Sequence, residues 1–141
     1  MREMKLCAEL DHPNIFKIHE TFEDKYKLYF IIDEFQGRTL FDRIIQKGQL
    51  NEEDSAAIAG YLVSIIKYLH KNGVIVRNLR AESIVFEEKD GLDIKLIDLS
   101  LAIKEEDVKQ GASDPLFEEF QKMPPINKAP ELITAKKRYS T

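Results

Sequence analysis

The chain has 141 residues of which 43% are hydrophobic, the length and apolar content of one ordinary domain with a core. A formal net charge of -4 offers no attraction to nucleic acid or an anionic membrane, and a single cysteine, Cys7, excludes an internal disulfide framework and a cysteine-based metal cluster. Met1 to Lys5 has no apolar signal region, and no apolar run approaches the ~20 residues of a membrane span. The expectation is an intracellular, cytoplasmic globular chain with no membrane or nucleic-acid partner.

Residues 1–10 carry helical spacing, with Met4, Cys7 and Leu10 on one face. Asp11-His12-Pro13-Asn14 ends that helix, because Pro13 lacks a donor and biases its predecessor away from helix. Strand-like runs at Ile15–Thr21 and Leu28–Ile32, joined by Glu23-Asp24-Lys25, form a hairpin signal. Gly37 breaks the chain before a short amphipathic helix from about Leu40 to Gln46, ended by Gly48.

The next helix is the clearest element. Asn51 is an N-cap, and Glu52, Glu53 and Asp54 put negative charge where the helix dipole favours it. Ile58, Leu62, Ile65, Ile66 and Leu69 form the apolar stripe, and Asn72-Gly73 a C-cap. Short β runs follow at Val74–Val76, Ser83–Phe86 and Asp93–Leu99, with a hairpin-like turn at Asp90-Gly91. From about Lys104 to Lys128 the pattern reads as a long exposed segment, in which Phe117 and Phe120 mark one helical turn. Pattern alone gives an α+β chain.

Five stretches give this order meaning. Leu10-Asp11-His12-Pro13-Asn14-Ile15 is similar to the loop after helix C of protein kinases, and Gly37 to Ile44 resembles the GGELFDRI of calcium- and calmodulin-dependent kinases. Val76-Arg77-Asn78-Leu79-Arg80-Ala81-Glu82-Ser83 stands where that family has HRDLKPEN, Asp98-Leu99-Ser100 at DFG, and Ala129-Pro130-Glu131 at APE. The chain therefore resembles a serine/threonine protein kinase domain, nearest to the calcium-dependent kinases. The implied fold is an incomplete kinase-like one: residues 1–36 as a small-lobe remnant, and 37–141 as part of the helical large lobe.

The resemblance implies roles. Glu3 matches the helix C glutamate that pairs with the phosphate-anchoring lysine. Ile32 would be the gatekeeper, Asp33, Glu34 and Phe35 the hinge that binds adenine, and Val85 the floor beneath the ring. Cys7, Ile18, Val76 and Leu99 map to the apolar column joining the lobes. Arg77 matches the arginine that pairs with a phosphorylated activation loop, and Ser113 is the one Ser or Thr between Leu101 and Lys128, although the favoured reading of that stretch is a merely solvated, acidic segment. The implied cofactors are ATP and Mg²⁺, and the implied partner is a protein, as substrate or binding partner.

Phosphoryl transfer is mostly positioning plus charge neutralisation, and this sequence departs from its needs. Asn78 occupies the base position, where a neutral amide cannot accept a proton; such assistance is typically worth ~10²–10⁴-fold. Ser83 replaces the asparagine that ligates a second metal, Asp98 remains as one metal-ligating carboxylate, and Arg80 replaces the catalytic-loop lysine with a planar fork. Val76, Thr39 and Pro124 replace the usual histidine, acidic residue and threonine. The match opens at helix C, so the Gly-rich loop and phosphate-anchoring lysine fall outside it, and no glycine precedes Gly37. Three functions stay open: a pseudokinase-type interaction module, one slice of a slow ATP-dependent serine/threonine kinase, and a truncated product without function. His12, His19 and His70 lack metal-ligand spacing, Cys7 reads as a core residue, and Lys136-Lys137-Arg138 as a solvated basic run.

Overall fold

The computed structural model describes residues 2–109 and 122–128, with side chains described over 6–107 and 122–128. Helix α1 (Arg2–Glu9) presents Leu6 and Cys7 to the core, with Leu10 just beyond its end. The following turn is held by His12, whose Nδ1 accepts the Asn14 N–H at 3.0 Å and whose ring lies 4.9 Å from that of Tyr68. The Tyr68 hydroxyl in turn accepts the Asp11 N–H at 2.8 Å.

The hairpin forms as strands β1 (Ile18–Glu23) and β2 (Leu28–Ile32), antiparallel and closed by Asp24, which accepts the N–H groups of Tyr26 and Lys27 at 2.7 Å. The first strand starts three residues later than its apolar pattern suggests. Ile15 and Phe16 pair elsewhere: Ile15 bridges Leu96 in parallel, and the Phe16 N–H donates to the Leu96 carbonyl at 3.1 Å. A buried apolar residue followed by a strand has the same local pattern as one longer strand, and only the long-range partner separates them.

Helix α2 (Leu40–Lys47) starts at Thr39, whose Oγ1 accepts the Asp42 N–H at 3.1 Å, and ends at Gly48 with φ 79°. Helix α3 (Glu52–Lys71) is capped as its sequence demands: Asn51 Oδ1 accepts the Asp54 N–H at 2.6 Å, and Gly73 turns the chain with φ 67°. Of its stripe, Ile58, Ile65 and Leu69 are buried, with Leu62 and Ile66 packed against the same core.

Strands β3 (Val74–Ile75), β4 (Ile84–Phe86) and β5 (Ile94–Leu96) are each shorter than the apolar runs that signal them. A 3₁₀ turn at Ala81–Ser83 takes Ser83 out of β4, and Asp98 lies beyond β5. Strand β6 (Ile103–Lys104) pairs with β3 and runs into helix α4 (Glu105–Lys109), where the sequence reads as exposed loop. Two residues are too few to show a period, so this pairing is invisible locally. Phe117, Phe120, Ser113, Ala129-Pro130-Glu131 and Lys136-Lys137-Arg138 lie outside the described residues.

The antiparallel β4–β5 hairpin sits at the centre, with Phe86, Ile94 and Leu96 fully buried. The stretch leaving β2 is stitched to it: Gln36 N–H donates to the Glu87 carbonyl and Phe86 N–H to the Arg38 carbonyl, both at 3.0 Å. Gly37 is required there, since a Cβ would stand 2.4 Å from the Phe86 carbonyl oxygen. Arg43 of α2 closes the far end. It is buried, stacks 3.2 Å from the Phe86 ring centroid, and donates to the Gly91 and Lys89 carbonyls at 2.6 and 2.9 Å.

Hydrogen bonds from a charged donor are worth ~1.5–3 kcal/mol, and carbonyls stripped of it are left desolvated. Arg43→Met is therefore expected to lower unfolding stability by at least about 2 kcal/mol. The check is the urea midpoint at unchanged m-value; a midpoint equal to wild type contradicts this role for Arg43.

Candidate functional site

The loop between β3 and the 3₁₀ turn reverses sharply at Arg77, which has φ 63°, uncommon for a residue with a side chain. Arg77 Nε donates to the Leu101 carbonyl at 2.6 Å, and the Asn78 N–H donates back to the Val76 carbonyl at 2.8 Å. This reversal turns Asn78 inward, leaving it 6% exposed. Its Oδ1 has no hydrogen-bond partner among the described residues. An unsatisfied buried polar atom costs ~1–3 kcal/mol, so the position is held by its surroundings rather than by its own bonds.

Arg80 and Asp98 face each other across the loop. Arg80 Nη2 lies 3.0 Å from Asp98 Oδ2, with the arginine side chain 40% and the aspartate 20% exposed. The other carboxylate oxygen, Oδ1, accepts the Ser100 N–H at 3.0 Å and the Ser100 hydroxyl at 2.6 Å. Burial works to raise the Asp98 pKa, but the Ser100 bonds and Arg80 together hold it below the usual carboxylate value. Ser83 is 1% exposed; its hydroxyl donates to the Arg80 carbonyl at 2.7 Å and accepts the Arg80 N–H at 3.3 Å.

These residues do not fit a divalent cation as arranged. Mg²⁺ takes oxygen ligands in near-octahedral order, commonly one or two carboxylates with water and phosphate. Both Asp98 oxygens already have donors, the Ser83 oxygen is turned into the loop backbone, and Asn78 brings no charge. Among the described residues no group of three or more His, Cys, Asp or Glu side chains could hold a metal ion.

At the other end of the cleft, Ile32 is half exposed at the end of β2, and Val85 is buried in β4 opposite Lys95. Thr39 forms a bridge to Val85, and its hydroxyl is bonded to Asp42. A cavity of about 340 Å³ is bounded by Asp33, Phe35, Glu87, Glu88 and Lys95. Val85 does not line it, and the open space beside Asp33 and Phe35 is polar rather than apolar. The Glu3 side chain lies outside the described part of α1.

Asp33, just past β2, is tethered on both carboxylate oxygens. Its Oδ2 accepts from Lys95 Nζ at 2.8 Å and the Lys17 N–H at 3.2 Å, and its Oδ1 lies 2.7 Å from His19 Nε2. Burial pushes its pKa up, but Lys95, His19 and the Lys17 N–H outweigh that and hold it at about 2. Lys95 also lies 3.5 Å from Glu87, so Asp33 ties the stretch after β2 to the β4–β5 hairpin.

The sequence-level reading leaves out four residues of this region. Ser100 is the nearest to detection, since a hydroxyl stands where the resembling family has glycine. Arg43, Lys95 and His19 act through partners far away in sequence, and nothing local marks them.

Because the Asp33 pKa is depressed in the folded state, the unfolded chain binds the extra proton between about 4 and about 2. Its stabilisation is present above that window and is lost as pH falls through it. In urea titrations across acid pH, Asp33→Asn is expected to flatten the loss of stability. A wild-type slope in the variant contradicts the tether.

Comparison with known proteins agrees with this geometry. The protein kinase domain family model matches residues 1–141. Calcium-dependent protein kinase 4 of Plasmodium berghei (strain Anka) and its namesake in Plasmodium falciparum (isolate 3D7) are each 42% identical over 104 residues, covering 72% of this chain and 20% of theirs. A probable myosin light chain kinase of Dictyostelium discoideum is 34% identical over 103 residues, covering 72% of this chain and 33% of its own. The chain thus spans between a fifth and a third of the length of these relatives. With its mixed helices and strands arranged around the β4–β5 hairpin, the chain belongs to the protein kinase domain family.

Proposed function

We propose that this chain is a kinase-homology module that acts on a protein partner through its shape, with little or no phosphotransfer. The observation carrying this reading is Asn78: a buried neutral amide at the position where the family's chemistry calls for a proton acceptor. The engaged Asp98 and Ser83 oxygens point the same way, since they offer no ready metal ligand. In this reading residues 1–36 form the small-lobe portion and 37–141 the large-lobe portion, with Asp33, Glu34 and Phe35 as the hinge between them. Ile32 and Phe35 flank a nucleotide base resting on Val85, Glu3 faces the phosphate-anchoring lysine, and the setting is cytoplasmic.

The relatives favour a second reading. They are named as calcium-dependent protein kinases, and Asp98 is retained, which suits a slice of an ATP-dependent serine/threonine kinase that runs slowly. Two measurements separate the readings. Transfer of labelled phosphate from ATP to a generic basic peptide should not exceed that of an Asp98→Ala control; a clear excess overturns the regulatory reading. Asn78→Asp, made in the whole protein that carries this chain, should raise any residual rate by at least about tenfold, because a carboxylate restores the acceptor. An unchanged rate contradicts the role given to position 78.

A further inference from the structure

We propose that in this cleft Arg80 stands in for the divalent cation: its guanidinium balances the phosphates of a nucleoside di- or triphosphate, and binding needs no magnesium. This rests on the nucleotide cleft of the preceding reading and goes beyond it. The starting point is the disagreement between the site and a metal ion.

Three side chains face the transfer position in that reading: Asn78, Arg80 and Asp98. Their charges are zero, plus one and minus one, so the set is neutral and does not attract a dication. The carboxylate is also engaged on both oxygens, with Arg80 on one and the Ser100 N–H and hydroxyl on the other. To bind Asp98, Mg²⁺ would have to sit beside a guanidinium already 3.0 Å from Oδ2, a like charge at close range. Ser83 offers it no second ligand, because its hydroxyl is buried in bonds to the Arg80 backbone.

Arg80 is suited to replace the ion. Its side chain is 40% exposed, with Nη2 anchored on Asp98. A guanidinium binds phosphate oxygens through parallel charge-assisted hydrogen bonds, stays ionised at any working pH, and sheds its hydration more readily than an ammonium. The Asp98 carboxylate then serves as the rest for a cationic side chain. That inverts the sign expected for its removal: without the carboxylate, Arg80 is released towards the ligand.

The test is a thermal shift of the full chain with ATP or ADP, in EDTA and in excess MgCl₂, on wild type, Arg80→Gln and Asp98→Asn. Circular dichroism confirms that each variant is folded. Wild type is expected to gain at least as much stability from nucleotide in EDTA as in magnesium. Asp98→Asn should keep or enlarge that gain, and Arg80→Gln should weaken the metal-free affinity by at least about tenfold. A gain that appears only with magnesium, no gain in either buffer, or its loss in folded Asp98→Asn overturns the proposal. These outcomes leave the phosphate-transfer assay untouched: a metal-requiring shift in an inactive chain sinks this inference alone. A metal-free shift in an active chain sinks the regulatory reading instead.

Discussion

The β4–β5 hairpin is the constraint on which every other element depends, because it offers backbone hydrogen bonds on both edges and buried side chains between them. On one side the Leu96 N–H and carbonyl hold Asn14 and Phe16, fixing the chain between α1 and β1. On the other, Phe86 and Glu87 hold Arg38 and Gln36, fixing the chain between β2 and α2. A core strand with unpaired backbone groups would be strongly penalised, so these segments complete the hairpin as much as they are positioned by it. Arg43 closes the turn from below, and its tolerance of burial follows from several carbonyl partners and an aromatic face.

The same hairpin delivers the chemistry. Ser83 lies just before β4, Asp98 just after β5, and the Ile97 N–H donates to the Ser83 carbonyl at 2.9 Å, so the two ends are joined. The residues around them form one electrostatic pattern. Asn78 brings no charge to the loop, and Arg80 pairs with Asp98. Serine at 100 adds a hydroxyl to the same carboxylate, and serine at 83 folds its oxygen into the turn. The side chains of Arg80, Ser83, Asp98 and Ser100 are each bonded inside the chain, whereas the Asn78 oxygen has no partner among the described residues.

Much of this was legible in the sequence wherever the signal is local. The caps at Asn51 and Gly48, the α3 stripe and the β1–β2 turn all follow from neighbours within four residues. Cys7, Val76 and Leu99 share one buried cluster, with Ile18 packed against it, a grouping the kinase resemblance implied. The parallel bridge of Ile15 to Leu96, the two-residue β6, and the reach of Lys95 to Asp33 depend on partners about thirty to eighty residues away. No period or propensity encodes such contacts. The motif resemblance singles out Arg80 and Asp98 but not the bond between them, which shows only in three dimensions.

The central claim is that the Asp98 carboxylate is satisfied by Arg80 and Ser100 and does not hold a divalent ion. Electron paramagnetic resonance of Mn²⁺, titrated into the chain with a non-hydrolysable ATP analogue, addresses it directly. The account predicts that the manganese signal matches that of the nucleotide alone, with no protein-bound species. A protein-bound manganese signal that disappears in Asp98→Asn would contradict it.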